Sequence, residues 1–230
     1  MASNSTLTIN NTLSWCSAFC LGRVLSNWNG ATNEPALTSA NLTYQLLLGA
    51  PFVWPWNRNT VSITMDITHT DYTKAVSDWG YIEKCVITDP NGKAYELDIA
   101  PVLGQSTQAA RPSKVAVQVD DNSGNITFRF MALPDVVYTA IVTYQKAAPL
   151  MSALTSTWAP IPDKYAYLYE RIFLAHMYAT FDYNKYLQEL ELGLRQAMAL
   201  QTGLDDAAKN IFLEQFLRNA RQSQKVGGRV

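Results

Sequence analysis

The sequence predicts an α+β protein in which a run of strands is flanked on both sides by helices. Three observations predict it. Residues 59–148 alternate apolar and polar side chains with period two and are punctuated by tight-turn sequences. Residues 149–221 place apolar side chains three and four apart. Residues 1–58 hold a shorter stretch with the same helical spacing.

Taken in order, that first stretch is Leu37, Ala40, Tyr44, Leu47 and Leu48. Pro35 stands just ahead, where a first helical turn tolerates proline, and Gly49-Ala50-Pro51 stops the helix. Phe52-Val53-Trp54-Pro55-Trp56-Asn57-Arg58 then fits neither period. The first strand carries Val61, Ile63, Met65 and Ile67 on one face, with Ser62, Thr64, Asp66 and Thr68 on the other. Strands over Tyr81 to Thr88 and Tyr95 to Ile99 are joined by Asp89-Pro90-Asn91-Gly92, whose Asn-Gly takes the positive φ that hairpin turns need. Val115, Val117 and Val119 mark a fourth strand, and Asp121-Asn122-Ser123-Gly124 turns the chain. Ile126, Phe128 and Phe130 mark a fifth, and Val137 to Tyr144 a sixth. Six strands with tight turns predict a small antiparallel sandwich or barrel.

Ile161-Pro162-Asp163 leads into the closing helices. Tyr165, Leu168, Ile172, His176, Ala179 and Tyr183 share one helical face, while Leu174, Met177, Tyr178 and Phe181 occupy others, so this helix is covered on most sides. Leu187, Leu190, Leu194, Ala197 and Met198 form a single stripe beyond it. Unbroken to Gly203, the helix would run about 60 Å at 1.5 Å per residue. That length predicts a break near Phe181-Asp182-Tyr183-Asn184, with Gly203 as the C-terminal cap. The last helix is expected over Leu204 to Arg221. Asp205 and Asp206 sit at its positive end, Ile211, Phe212, Phe216 and Leu217 on its inner side, and the tail from Gln222 to Val230 is expected to be mobile.

At 230 residues the chain is long enough for one sizeable core or two small ones. Its 48% hydrophobic and 16% charged content belongs to a folded protein. The 11% aromatic share fits either a rich core or partner surfaces. A net charge of −1 leaves no overall field drawing the protein to nucleic acid or an acidic membrane. Met1-Ala2-Ser3-Asn4-Ser5 lacks the positive start of a signal peptide, and no apolar run reaches membrane-spanning length. Three cysteines, Cys16, Cys20 and Cys85, read as free thiols in a reducing compartment. A structural zinc site would need His69 or His176 to complete it.

The chain carries no catalytic signature, and the expectation is no enzyme and no cofactor. His69 falls at a strand end, and His176 on a buried helix face. Asp120 and Asp121 precede a turn, Asp205 and Asp206 open a helix, and Gly227-Gly228 lacks the strand and helix of a phosphate-binding loop. Trp54 and Trp56 flank a proline, and two readings stand. They stack on a sugar face, or their loop plugs a core or a subunit contact. After Glu214 the chain carries Arg218, Arg221, Lys225 and Arg229 and no acid, which suits a helix C-terminus, a phosphate or an acidic partner.

The order of these parts resembles the neck proteins of tailed bacteriophages, the head-to-tail adaptors that include the tail tubular protein A type. The resemblance rests on several phrases in this order. Leu46-Leu47-Leu48-Gly49 precedes Trp54-Pro55-Trp56-Asn57. The β region carries Asp78-Trp79-Gly80-Tyr81-Ile82-Glu83-Lys84, Asp89-Pro90-Asn91-Gly92-Lys93, Phe128-Arg129-Phe130, Leu133-Pro134-Asp135 and Tyr144-Gln145-Lys146. Ile161-Pro162-Asp163-Lys164-Tyr165, Gly203-Leu204 and Asn210-Ile211-Phe212-Leu213 follow. The resemblance implies a helical bundle domain built from residues 1–58 and 149–230, with residues 59–148 inserted as an antiparallel β domain. It further implies a ring of about twelve copies in the virion neck, assembled in the host cytoplasm. Its partners would be the portal protein and a downstream tail or nozzle protein. Double-stranded DNA would pass through without sequence-specific binding, and no membrane is involved. Trp54, Trp56, Arg218, Arg221, Lys225 and Arg229 are the candidate partner contacts. The alternative is a carbohydrate-binding β-module with a helical oligomerisation region, using Trp54, Trp56 and Trp79.

Overall fold

The computed structural model describes residues 5–19, 33–120, 124–179 and 182–227, with backbone alone for residues 19, 119, 120 and 222–227. Among these it is a mixed α+β protein of five α-helices and a seven-stranded sheet that nearly closes into a barrel. The chain divides into two compact units, Asn57–Ala147 and the pair of segments Met1–Trp56 with Ala148–Val230.

In the β unit the strands are β1 (Arg58–Met65), β2 (Asp71–Ala75), β3 (Trp79–Thr88), β4 (Ala94–Ile99), β5 (Lys114–Asp120), β6 (Asn125–Phe130) and β7 (Tyr138–Lys146). Their order across the sheet is β1-β7-β3-β4-β5-β6-β2. Period-two alternation sends Ile63, Met65, Cys85, Ile87, Val115, Ile126, Phe128, Phe130, Ala140 and Val142 into one buried cluster. Trp79 packs edge-on to Phe128, with ring centroids 5.3 Å apart. The turn after β3 forms as its sequence demands. Asp89 Oδ1 accepts from the Asn91 and Lys93 N–H groups, and Gly92 takes φ +82°.

Two expectations for the sheet are corrected. There are seven strands and not six, because the Asp-Tyr-Thr-Lys-Ala sequence of β2 carries too few apolar residues to show an alternation. The sheet is not wholly antiparallel, because β4 and β5 pair in parallel through Asp98 with Lys114 and Ile99 with Val115. Pro101, which has no N–H to donate, stands two residues beyond β4, and residues 100–113 return the chain to the same end of the sheet. The first strand also ends at Met65, so Ile67 is 57% exposed and does not continue its apolar face.

The other unit contains α1 (Ile9–Phe19), α2 (Ala36–Leu48), α3 (Ala166–Tyr178), α4 (Tyr183–Ala199) and α5 (Asp206–Gly227). All five helices contribute to one apolar cluster, with Leu13, Tyr44, Ile172, Leu194 and Leu213 among its buried members. Trp158 lies in it fully buried. The Tyr169 ring is stacked on it at 4.3 Å, Tyr44 and Phe173 meet it edge-on, and its indole N–H donates to Thr12 Oγ1 at 2.8 Å. The N-terminal segment is tied to the same region. Asp163 accepts from the Ser5 and Thr6 hydroxyls at 2.6 and 2.7 Å and from the Thr6 N–H at 3.1 Å.

The expected break in the long helix falls between Tyr178 and Tyr183, where Asp182 caps α4 by accepting the Lys185 N–H. Residues 180 and 181, including Phe181, lie outside the described residues. Gly203 is not the cap of α4, which ends at Ala199. Gln201 turns inward instead, its Oε1 accepting the Val53 N–H at 2.8 Å. On α5 the inner face uses Leu213 rather than Ile211, which is 55% exposed. The helix also runs past Gln222 to Gly227, so that stretch of the expected tail is helical.

Candidate interaction surfaces

Phe52, Trp54 and Trp56 follow α2 as a stack of rings. Phe52 and Trp54 lie 5.8 Å apart with planes 8° from parallel, and Trp54 and Trp56 lie 5.3 Å apart at 18°. Trp54 is 3% exposed, and its indole N–H donates to the Leu47 carbonyl at 2.6 Å. Trp54 therefore presents no face to a partner or a sugar, and its loop plugs the helical core, one of the two readings of the sequence. Trp56 is half-buried, and its indole nitrogen is covered without an acceptor among the described residues. Trp79 is buried within the sheet.

Of the basic candidates, Arg218 and Arg221 are exposed on α5, Arg218 away from the side that carries Leu213 and Leu217 and Arg221 one turn beyond Leu217 on that same side. The Lys225 side chain and all of Arg229 lie outside the described residues.

A surface that the sequence did not announce lies at one end of the β unit. Met65 pairs with Tyr138, and the Thr70 carbonyl accepts the Phe130 N–H at 2.9 Å. The connections 66–70 and 131–137 therefore leave the sheet side by side. Together they expose Ile67, Met131, Val136 and Val137. The first connection is rigidified by Asp66, which accepts from the Thr68 hydroxyl and N–H at 2.6 and 2.7 Å and from the His69 N–H at 3.1 Å. These bonds, the Thr68 hydroxyl's above all, hold the Asp66 carboxyl well below the usual carboxylate range. Asp66 and Asp135 flank the apolar patch. Clustered apolar exposure of this kind marks contact surfaces. The one visible signal was Ile67, which the strand alternation had assigned to the core.

A second feature is a cleft of about 470 Å³ in the β unit, lined by Trp79, Gly80, Tyr81, Ile82, Ile99, Ala100, Pro101 and Val117. None of the eight side chains is charged.

The groups weighed for catalysis are dispersed. His69 is exposed, with Nδ1 3.0 Å from Asp66. His176 has its Nε2 covered with no partner among the described residues, and burial pushes its pKa down to about 4. Asp205 caps α5 by accepting the Ala208 N–H at 2.6 Å. The Asp120 side chain, Asp121 and Cys20 lie outside the described residues. Cys16 and Cys85 are buried in separate clusters. Among the described residues, no three His, Cys, Asp or Glu side chains gather as metal ligands, and no helix is long and apolar enough to cross a membrane.

Compared with known proteins, the chain matches no protein-family model, and no curated protein matches it.

Proposed function

We propose that this chain is a structural subunit of the neck of a tailed bacteriophage, of the head-to-tail adaptor or tail tubular protein A type. In this reading about twelve copies form a ring between the portal and the downstream tail, and double-stranded DNA passes through it. The helices near the two ends of the chain form one bundle, and the β unit is an insert that reaches a neighbour or a partner layer.

The observation that supports this reading is the discontinuous layout. Met1–Trp56 and Ala148–Val230 make one compact unit, and Asn57–Ala147 makes another. The apolar end of the β unit supports an assembly role as well, since ring subunits bury such patches against neighbours.

Electron microscopy and mass spectrometry of purified particles test the reading. The expected result is the protein in the virion, with density of about twelvefold symmetry beneath the portal. Its absence from purified particles would refute the proposal. The carbohydrate-binding alternative lacks its aromatic platform, because Trp54 and Trp79 are buried. A change in tryptophan fluorescence on adding glycans would revive it.

A further inference from the structure

The geometry points to Asp163 as the clasp of a detachable strap, the segment from Ser5 to the Leu7 N–H. One carboxylate holds this segment on the helical unit, and the segment swings free, with the helices intact, when that carboxylate loses its charge. This inference does not rest on the ring reading.

Among the described residues, the bonds from the strap to the rest of the unit converge on Asp163. Its Oδ1 accepts from the Ser5 hydroxyl at 2.6 Å, the Thr6 N–H at 3.1 Å and the Leu7 N–H at 3.4 Å, and its Oδ2 from the Thr6 hydroxyl at 2.7 Å. The strap has little apolar burial to keep it down. Thr6 is exposed, Leu7 is only partly buried, and the covered Ser5 is small and polar.

Past the Leu7 N–H the chain is fixed by other means. The Leu7 carbonyl accepts the Trp158 N–H at 3.1 Å, and the Ile9 and Asn10 N–H groups donate to the Ser156 and Leu154 carbonyls at 3.1 and 3.0 Å. Thr8 and Asn11 close the start of α1 reciprocally. Asn11 Oδ1 accepts the Thr8 hydroxyl at 2.7 Å, and that hydroxyl accepts the Asn11 N–H at 3.3 Å. Helix α1 therefore keeps its cap, and Ile9 and Leu13 their burial, without the strap. The hinge is Leu7, whose N–H belongs to the clasp and whose carbonyl belongs to the fixed side. Among the described residues the Asp163 carboxylate accepts from no group of α3, so neutralising it leaves that helix's own bonds in place.

The surroundings make the strap the main support of the charge. Helices α1 and α2 and residues 147–162 carry no charged side chain. Lys164 lies over the Tyr165 ring at 5.0 Å, and Arg171 is paired with Glu189. The strap's donors, the Ser5 hydroxyl first, hold the Asp163 carboxyl below the usual carboxylate range. On α3, burial keeps Tyr169 protonated and pushes the Glu170 carboxyl up, so Glu170 takes its proton at a higher pH than Asp163 does. Docking of the strap and ionisation of Asp163 are one linked equilibrium, each favouring the other by the same factor. The strap is held above the ordinary carboxylate pKa of about 4 and is released as pH falls below it.

The test uses the full-length protein and amide exchange followed by NMR at neutral pH, in the intact chain and in Asp163→Asn, whose uncharged amide is a weaker acceptor. The expected result is at least ~10-fold faster exchange at Thr6 and Leu7, with Asn10, Ile172 and Leu194 unchanged. In the intact chain the Asp163 carboxyl carbon and the Thr6 and Leu7 amides should titrate together with a midpoint below about 4. Ser5→Ala combined with Thr6→Val should raise that midpoint. Three outcomes overturn the proposal. Unchanged exchange at Thr6 and Leu7 in Asp163→Asn would mean that the strap is held elsewhere. Acceleration or titration shared by Ile172 and Leu194 would mean that the strap leaves only when the unit unfolds. An Asp163 midpoint unmoved by the Ser5 and Thr6 substitutions would mean that its charge does not depend on the strap.

Discussion

Replacing Trp158 tests whether the helical unit is organised around that ring. The side chain is fully buried, stacked on Tyr169 at 4.3 Å, and bonded through its indole N–H to Thr12 at 2.8 Å. Trp158→Ala removes the whole ring from a packed site, which costs about 3–5 kcal/mol. It also removes the donor that the buried Thr12 hydroxyl accepts from, while that hydroxyl keeps its own bond to the Thr8 carbonyl, adding about 1 kcal/mol. Trp158→Phe keeps most of the stack and loses the hydrogen bond, so a loss of about 1–2 kcal/mol is expected. Thr12→Val deletes the other partner, and because one bond is lost either way, the double substitution should cost less than the two single effects added together. Urea unfolding followed by helical circular dichroism reads these values. A Trp158→Ala loss below about 1.5 kcal/mol, or strict additivity in the Thr12 cycle, would refute the reasoning.

Gly193 on α4 faces α3 so closely that an added Cβ would lie 2.6 Å from Ile172 Cγ1, so Gly193→Ala should destabilise by about 1–3 kcal/mol in the same urea assay despite its better helix propensity. Asp71 holds Arg129 through two hydrogen bonds of 2.7 and 2.6 Å, and the guanidinium lowers the carboxyl pKa. Its contribution is present above the ordinary carboxylate range and fades as pH falls below about 4, so Asp71→Asn should flatten that part of a stability-against-pH curve. His176 is the complementary case. Burial pushes its pKa down to about 4, so its neutral form favours folding and stability drains as pH falls from about 6.5 toward 4, a loss that His176→Phe should remove from thermal melts. Burial pushes the Cys85 thiol up to about 12, so an alkylating reagent at mildly alkaline pH should modify Cys85 only after unfolding, as peptide mass mapping would show.

Periodicity made most of the secondary structure legible. Ile126, Phe128 and Phe130 alternate and are all buried, and the Asp89–Gly92 turn folds as its residues require. The failures have physical causes. The stretch around α1 is interrupted by Ser14 and Ser17, whose hydroxyls bond back to helix carbonyls at 3.0 and 2.7 Å, so its helix was not evident from apolar spacing. β2 is a short edge strand held by pairing with β6, a tertiary effect without a local signature. Trp54 and Trp56 were open to two readings because a sequence does not reveal which side of a ring is covered. The apolar end of the β unit and the cleft beside Trp79 arise from register and from where a strand stops, and neither leaves a motif.

The discontinuous helical unit sets an order on synthesis. Ile9, Tyr44 and Trp54 are buried in a cluster that also needs Trp158, Ile172 and Leu194. The ribosome must therefore deliver the whole Asn57–Ala147 unit before those early side chains have anything to pack against. At ordinary elongation rates that is a delay of roughly 5–20 s, during which the early segment meets chaperones with its greasiest residues uncovered.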